Sequence, residues 1–162
     1  MSDMQELAVI LRKARKTVAF AESCTGGLLA QRATDLAGSS DWFECGLVTY
    51  SNRAKQDFLG VEISIIESDG AVSHRCACAM AEGLMARTVA DWGICLTGVT
   101  GPGGGTPEKP VGLVWIAWIG RNQAVEAERF DFRGDRGQVR LQAADAAIAG
   151  LIRRVCTGNC AS

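Results

Sequence analysis

Short apolar segments alternate with amphipathic helical segments along the chain, and this order constrains the fold more than any other feature. Strands that alternate with helices predict a sheet covered by helices, and a hairpin near the end makes that sheet mixed. We therefore predict an α/β fold, a three-layer sandwich with a mixed, mostly parallel sheet flanked by helices. The predicted strands are 17–22, 43–50, 94–99, 111–119 and 125–132, and the predicted helices are 3–15, the segment after Gly27 as far as 37, 52–59, 73–89 and 135–155.

Capping residues mark the ends of several predicted helices. Asp3 with Glu6 resembles a capping box at the start of the first helix, and Ser73 can cap the fourth. Gly38 and Gly60 stand where glycine closes a helix at its C-terminal end.

The length of 162 residues suits one domain, which buries enough surface to need neither a disulfide nor a metal. We predict a single domain over 1–162, with a core at about 5–155 and a frayed tail at 156–162 that holds Cys156 and Cys160. The seven cysteines are odd in number and irregularly spaced, which favours reduced thiols over disulfides. Cys76 and Cys78 lie two apart in a predicted helix, so their side chains diverge and cannot readily share a metal.

The charge and hydropathy patterns exclude two classes of partner. The formal net charge is −1 with both signs scattered, whereas a nucleic-acid-binding protein normally concentrates basic residues on one face. No apolar run reaches the ~20 residues that cross a bilayer, and the N-terminus does not resemble a signal peptide. We expect a cytoplasmic protein that binds neither nucleic acid nor membrane.

Ser23 follows the first predicted strand, at the turn into the next helix. Ligands of α/β sheets collect beyond the carboxyl ends of strands, and Thr25, Gly26 and Gly27 stand where the helix leaves N–H groups free. These donors and the helix dipole favour negative charge, so the turn could serve a nucleophilic serine and its oxyanion. Alternatively, Ser23 or Thr25 only caps the helix.

A serine nucleophile needs a base, and the candidates are few. His74 is the one histidine of the chain, and at a helix start the dipole disfavours its protonated form. A lysine with a lowered pKa can replace histidine, and Lys55 shares a helix face with Ser51. The hydroxyl of Tyr50 could complete a proton path. On the sequence alone, however, the position of Lys55 fits a solvated surface lysine better than a base.

Two further segments could hold a ligand. Residues 97–105 follow a strand and are rich in glycine, but they match neither the P-loop nor the dinucleotide fingerprint. They form either a shaped wall of a pocket or a surface loop. Arg136, at the start of the last helix, could bind a phosphate bidentately, or it could be exposed behind a cap formed by Asp135.

Several motifs together resemble the C-terminal domain of the competence/damage-inducible protein CinA, over residues 5–155. They are 21–27 (AESCTGG), 38–40 (GSS) with Trp42 and Phe43, 48–52 (VTYSN) with Lys55, 70–73 (GAVS), 101–104 (GPGG), 108–112 (EKPVG) and 134–136 (GDR). Nothing in the chain corresponds to the additional N-terminal domain of larger CinA proteins. Thr100 stands where the family pattern leads us to expect alanine.

The resemblance implies a nicotinamide-nucleotide amidase that converts nicotinamide mononucleotide to nicotinate mononucleotide and ammonia in pyridine nucleotide salvage. It implies Ser23 as nucleophile, Lys55 as general base and Tyr50 as assistant, with no metal, no organic cofactor and self-association into a homo-oligomer. The implied substrate-binding residues are Thr25, Gly26, Gly27, Ser51, Thr100, Gly101, Gly103 and Arg136. Two alternatives remain open, a nucleotide-binding regulatory module without turnover and an amidase or esterase for another small substrate.

Overall fold

Five strands form the central sheet of the structure, a computed structural model that describes residues 1–158. They are β1 (Val18–Glu22), β2 (Phe43–Val48), β3 (Trp92–Gly98), β4 (Leu113–Gly120) and β5 (Glu126–Asp131). The strand order is β2-β1-β3-β4-β5. Strand β1 pairs in parallel with β2 and β3, whereas β4 is antiparallel to both β3 and β5. Of these five strands β4 alone runs against the others, so the predicted mixed, mostly parallel sheet is confirmed.

Helices cover both faces of this sheet. They are α1 (Asp3–Ala14), α2 (Leu28–Thr34), α3 (Asn52–Leu59), α4 (Ile63–Asp69), α5 (His74–Arg87) and α6 (Arg136–Gly158). One hydrophobic cluster packs α1, α2 and α6 against the sheet, and a second packs α5 with parts of α3 and α4 against the other face. The predicted three-layer sandwich in a single domain is therefore confirmed.

Strand β1 shows why the sheet needs helices on both faces. Val18 and Phe20 belong to the cluster beneath α1, α2 and α6, whereas Ala19 and Ala21 belong to the cluster beneath α5. All four are fully buried. Successive side chains of a strand point to opposite faces, so an apolar run of this kind demands cover on both sides.

The capping box of α1 lies one residue earlier than the predicted Asp3 and Glu6. Ser2 is the N-cap, and its hydroxyl accepts a hydrogen bond from the backbone N–H of Gln5. The side-chain oxygen of Gln5 accepts the Ser2 N–H in return, at 2.8 Å. Asp3 and Glu6 have the same three-residue spacing as Ser2 and Gln5, so the sequence motif fits both pairs. The structure forms the box with Ser2 and Gln5, and the prediction of Asp3 and Glu6 was wrong.

Helix α2 ends at Thr34, three residues before the predicted position. The hydroxyl of Thr34 donates to the carbonyl oxygens of Ala30 and Gln31, a local bond that competes with the helical backbone. Gly38 does not close this helix but precedes a short 3-10 helix, Ser39–Asp41, which an ion pair between Asp41 and Arg12 ties to α1.

Helix α4 was not predicted. Its sequence, with three isoleucines, two serines and an aspartate in seven residues, has low intrinsic helix propensity. Ile65 and Ile66 pack against the cluster beneath α5, so tertiary packing stabilises this helix. Helix α6 continues to Gly158, and Cys160 lies outside the described residues. None of the helices within residues 1–158 combines the length and the apolar character needed to span a membrane.

Candidate active site

A cavity of about 270 Å³ opens where the chain leaves β1 and β3. Strand β1 continues to β2 on one side, and β3 lies on its other side, so the strand order reverses between β1 and β3. Ligands of open α/β sheets bind at such switch points, beyond the carboxyl ends of the strands. This cavity is called the Ser23 cavity, and its lining residues are Ser23, Cys24, Tyr50, Asn52, Lys55, Ala71, Val72, Thr97, Gly98, Val99, Thr100, Gly101, Gly103, Gly104 and Arg136.

A larger cavity, of about 510 Å³, is lined by parts of α1, α2 and α6. Its polar side chains include Asp3, Asp35 and Asp145, with Arg32 paired to Asp145 at 2.7 Å. It shares no lining residue with the Ser23 cavity. The one hydroxyl in its lining, that of Ser2, is engaged as the cap of α1, so the smaller cavity is the better candidate for chemistry.

Ser23 and Lys55 meet inside the Ser23 cavity. The Nζ of Lys55 lies 3.0 Å from the Oγ of Ser23, although 32 residues separate them in sequence. Thr49 follows β2, whose last residue pairs with Glu22, so the parallel register brings the start of α3 beside the Ser23 turn. Ser51 caps α3, and its hydroxyl accepts the backbone N–H of Ala54.

The remaining contacts of Lys55 define what its amine can do. Nζ lies 2.8 Å from the carbonyl oxygen of Thr49 and 3.1 Å from that of Tyr50. These oxygens can only accept hydrogen bonds, whereas the hydroxyl of Ser23 can donate one. A neutral amine has two N–H groups and one lone pair, so it fits all three partners and can take the serine proton.

Burial favours that neutral amine. Only 1% of Lys55 is exposed to solvent. Loss of hydration disfavours the charged form, so burial lowers the pKa of Lys55 below its ordinary value. No carboxylate within the described residues pairs with it, and the titratable groups that oppose the lowering of its pKa are the thiols of Cys76 and Cys24.

The thiols near the dyad are poor nucleophiles. Burial raises the pKa of Cys24 to about 12, and burial also raises the pKa of Cys76. A thiol reacts as its thiolate, so neither cysteine competes with Ser23 at neutral pH. Within residues 1–158 no group of three or more His, Cys, Asp or Glu residues could hold a metal ion.

Tyr50 and Arg136 lie at the rim of the cavity. The hydroxyl of Tyr50 accepts a hydrogen bond from Nη2 of Arg136 at 3.0 Å, and 59% of Tyr50 is exposed. Nη1 of Arg136 donates to Thr100 Oγ1 at 2.8 Å and to the carbonyl oxygen of Gly101 at 2.9 Å. Tyr50 therefore hydrogen-bonds Arg136 through its hydroxyl and Lys55 through its backbone carbonyl. Asp135 also caps α6, since its Oδ1 accepts the N–H of Gln138.

Four predicted substrate-binding residues do not line the Ser23 cavity. Thr25 is fully buried, and its carbonyl oxygen accepts a hydrogen bond from Arg140 at 2.7 Å. The N–H of Gly26 donates to the carbonyl of Ser23, and the N–H of Gly27 donates to the carboxylate of Glu22. These donors are satisfied within the protein. Ser51 is occupied as the cap of α3.

His74 is the first residue of α5 and is exposed. Its ring meets Trp115 edge-on, with the centroids 5.3 Å apart, and it does not line the Ser23 cavity. The structure thus brings Ser23 to Lys55 and not to the histidine.

Sequence reasoning missed several residues around the Ser23 cavity. Ala71 and Val72 form part of its wall, and the hydroxyl of Thr97 holds the carbonyl of Ala71 at 2.8 Å. Asn52 lies at the rim. The GAVS motif at 70–73 pointed to this segment, but nothing local in the sequence predicts which strand end it faces.

The matching family model is that of the CinA C-terminal domain, and it covers residues 2–155. A relative from Enterobacter agglomerans named nicotinamide-nucleotide amidohydrolase PncC is 46% identical over 93% of this chain and 94% of its own length. A CinA-like protein from Chlorobaculum tepidum is 50% identical over 94% of this chain. The chain spans only 37% of that protein, and 34% to 38% of the other longer curated relatives that it matches.

Solved structures agree with this relationship. The competence damage-inducible protein A (ComA) from Klebsiella pneumoniae superposes with a TM-score of 0.91 at 35% identity, over 95% of both chains. The competence/damage inducible protein CihA from Agrobacterium tumefaciens gives a TM-score of 0.88 at 40% identity, over 94% of this chain and 96% of that one. By sequence and by structure, this chain belongs to the CinA C-terminal domain family.

Proposed function

We propose that this protein hydrolyses the carboxamide of nicotinamide mononucleotide, releasing nicotinate mononucleotide and ammonia. The observation that carries the proposal is the contact of 3.0 Å between Ser23 Oγ and the buried amine of Lys55. The name of the Enterobacter agglomerans relative, which matches this chain over nearly its full length, supplies the substrate class.

The proposed reaction proceeds through an acyl-enzyme. The Oγ of Ser23 attacks the amide carbon while neutral Lys55 takes its proton. The protonated lysine then gives that proton to the leaving nitrogen, the C–N bond breaks, and ammonia departs. Water attacks the resulting ester with Lys55 again as base, and the lysine returns its proton to Ser23 Oγ as the nicotinate product leaves.

The tetrahedral intermediate needs donors for its oxyanion. The N–H of Cys24 donates to no backbone carbonyl among residues 1–158, and Cys24 lines the Ser23 cavity. The residue after the nucleophile supplies such a donor in other strand-to-helix turns that carry a serine. We assign Cys24 N–H to the oxyanion, where one such donor is worth roughly 10²–10³ in kcat.

Arg136 is the proposed anchor for the substrate phosphate. Its Nε–H has no acceptor within the described residues, while Thr100, Gly101 and Tyr50 hold the rest of the guanidinium in place. A guanidinium fixed in this way offers a planar fork for phosphate oxygens. We assign the Tyr50 hydroxyl to orienting Arg136, in addition to any part in proton transfer.

A single assay tests the proposed function. Ammonia release is measured with nicotinamide mononucleotide, nicotinamide riboside and nicotinamide as parallel substrates. Turnover of the mononucleotide well above the other two is the expected result. Nucleotide binding without ammonia release would instead identify a regulatory module. Preference for another small amide would show that the substrate belongs to a different class. We further propose that the enzyme acts in cytoplasmic pyridine nucleotide salvage as a homo-oligomer, which sedimentation analysis would test.

Replacing Arg136 with alanine should raise KM for the mononucleotide at least about 10-fold, because a charged hydrogen bond to phosphate is worth ~1.5–3 kcal/mol. KM for the riboside, which lacks the phosphate, should change far less. The measurement is KM and kcat for both substrates. Arg53→Ala, at an exposed arginine paired with Asp57, is the matched control and should leave both constants near wild type. Equal effects of Arg136→Ala on the two substrates would remove its phosphate role.

The rate should rise with pH as Lys55 loses its proton. Burial lowers the pKa of Lys55, so the base form accumulates below the pH of about 10.4 at which a free lysine titrates. We therefore expect kcat to increase from mild acid toward pH 9, with a midpoint below that of a free lysine. The measurement is kcat at saturating substrate across this range. A flat profile in that range, with chemistry shown to be rate-limiting, would contradict a lysine base.

A further inference from the structure

Glu22 and Ser23 are consecutive residues that work on opposite faces of the sheet. Ser23 turns toward Lys55 on the α3 side, whereas the side chain of Glu22 turns toward α2. This divergence follows from the alternation of side chains along β1. Glu22, the last residue of β1, can therefore bind α2, the helix that follows the Ser23 turn.

The carboxylate of Glu22 takes the place of a helix cap. It is fully buried and accepts three backbone N–H groups, from Gly27 at 3.1 Å, from Leu29 at 3.2 Å and from Ala30 at 3.0 Å. Gly27 occupies the N-cap position of α2 and has no side chain to offer. The first turn of a helix leaves its N–H groups without acceptors and favours negative charge, so Glu22 satisfies both requirements.

This arrangement closes the N-terminus of α2 to any other anion. Three of its donors are bonded to an internal carboxylate, and that carboxylate would repel a phosphate brought to the same place. The substrate phosphate must therefore bind elsewhere, in agreement with the place of Arg136 at the rim of the Ser23 cavity. The N-terminus of α2 therefore stabilises the Ser23 turn and does not bind the ligand.

The turn between Glu22 and α2 is fixed at several points. Gly26 and Gly27 adopt φ values of +61° and +97°, which side-chain-bearing residues rarely adopt. The N–H of Ser23 donates to the carbonyl of Leu96 on β3, and Arg140 holds the carbonyl of Thr25. The Glu22 carboxylate adds a further constraint, because its hydrogen bonds join the end of β1 to the start of α2.

We infer that Glu22 is a positioning residue, which locks the nucleophile turn so that Ser23 Oγ stays in contact with the Lys55 amine. The expected loss of activity rests on the proposed function, whereas the expected change in the pKa of Lys55 does not. Glu22 touches no reacting atom. A displacement of about 1 Å at the turn would cost roughly 10²-fold in rate, because attack requires the reacting groups to stay aligned.

The test compares Glu22→Gln and Glu22→Asp with the wild type. A glutamine keeps the length but replaces one acceptor oxygen with an NH₂ group that faces N–H donors, and aspartate keeps the charge but shortens the reach. We expect kcat for the mononucleotide to fall about 10- to 100-fold with KM changed less than about twofold. We also expect the pKa of Lys55, followed by NMR of its labelled Cε, to rise toward its ordinary value as the loosened turn admits water.

Asp91→Asn is the matched control. Asp91 accepts the backbone N–H of Thr17 at 2.9 Å, so it anchors the opposite end of β1 with the same kind of bond. This variant should lower the melting temperature without changing kcat or the pKa of Lys55. A folded Glu22 variant with wild-type kcat and Lys55 pKa would overturn the inference, as would equal losses of kcat in Asp91→Asn.

The remaining outcomes separate the positioning role of Glu22 from the proposed function. If Glu22→Gln does not fold, Glu22→Asp is measured in the same two ways. If the wild type releases no ammonia, the proposed function fails, and the pKa of Lys55 in the variants still decides whether Glu22 holds the turn. A variant that raises KM and leaves kcat unchanged would mean that the α2 terminus binds substrate, which contradicts the inference.

Discussion

Ser23→Ala should abolish ammonia release from nicotinamide mononucleotide, with kcat reduced by at least roughly 10³-fold, because the attacking oxygen is lost. The fold should survive, since the change removes one hydroxyl and one hydrogen bond to Lys55, worth about 1 kcal/mol. Activity is measured by the ammonia assay and folding by circular dichroism with thermal unfolding. Mononucleotide binding should persist in the variant and is measured by calorimetry.

The matched control for this variant is Ser64→Ala. Ser64 is exposed on α4 and does not line the Ser23 cavity, so its loss should leave kcat unchanged. An acyl-enzyme detected by intact mass in the wild type and absent from Ser23→Ala would identify the bond that forms. Full activity in a folded Ser23→Ala variant would end the serine mechanism and would leave the enzyme with a nucleophile other than the one proposed.

Local signals predicted α3 to the residue. Gly60 ends it and its bounds are Asn52–Leu59, as the sequence predicted, and the structure adds Ser51 as its N-cap. Each of these signals acts within a few residues, so it can be read without the rest of the fold. Helix α4 also ends at a glycine, Gly70, but its N-cap residue Glu62 makes no side-chain cap hydrogen bond, and the helix depends on the packing of Ile65 and Ile66, which only the folded structure supplies.

The partnership of Ser23 and Lys55 could be predicted only in part. The sequence placed Ser51 and Lys55 on one helix face and predicted that Ser23 follows a strand. The contact between Lys55 and Ser23 depends on the register of β1 against β2, in which Glu22 pairs with Val48. Register is set by the packing of whole strands, so it lies beyond what a motif can predict.

The helix terminus after Ser23 shows what local signals in the sequence leave out. Free N–H donors and two glycines predicted a ligand site at Thr25, Gly26 and Gly27. The structure fills that place with the carboxylate of Glu22, an acceptor that belongs to the strand itself. The alternation of side chains along β1 could have indicated this, because it sends Glu22 to the face that α2 covers.

Lys55→Met should reduce kcat by at least roughly 10³-fold, because methionine cannot accept the proton of Ser23. The expected size reflects that no histidine lines the Ser23 cavity among residues 1–158 to act as a second base, since His74 lies outside it. Lys55→Arg should be as inactive as Lys55→Met, because a guanidinium stays charged and cannot act as a base. The measurement is kcat for the mononucleotide in the wild type and in both variants.

Stability gives a second readout of Lys55 that does not depend on activity. Burial lowers the pKa of Lys55 in the folded protein, so between that pKa and about 10.4 the unfolded chain binds one more proton than the folded one. The free energy of unfolding of the wild type should therefore rise with pH across this window, relative to that of Lys55→Met. Lys13→Met, at an exposed lysine of α1, is the control and should keep both the wild-type kcat and the wild-type pH dependence. An active Lys55→Met, or a difference in stability that does not change with pH, would mean that the buried amine is not held neutral for catalysis.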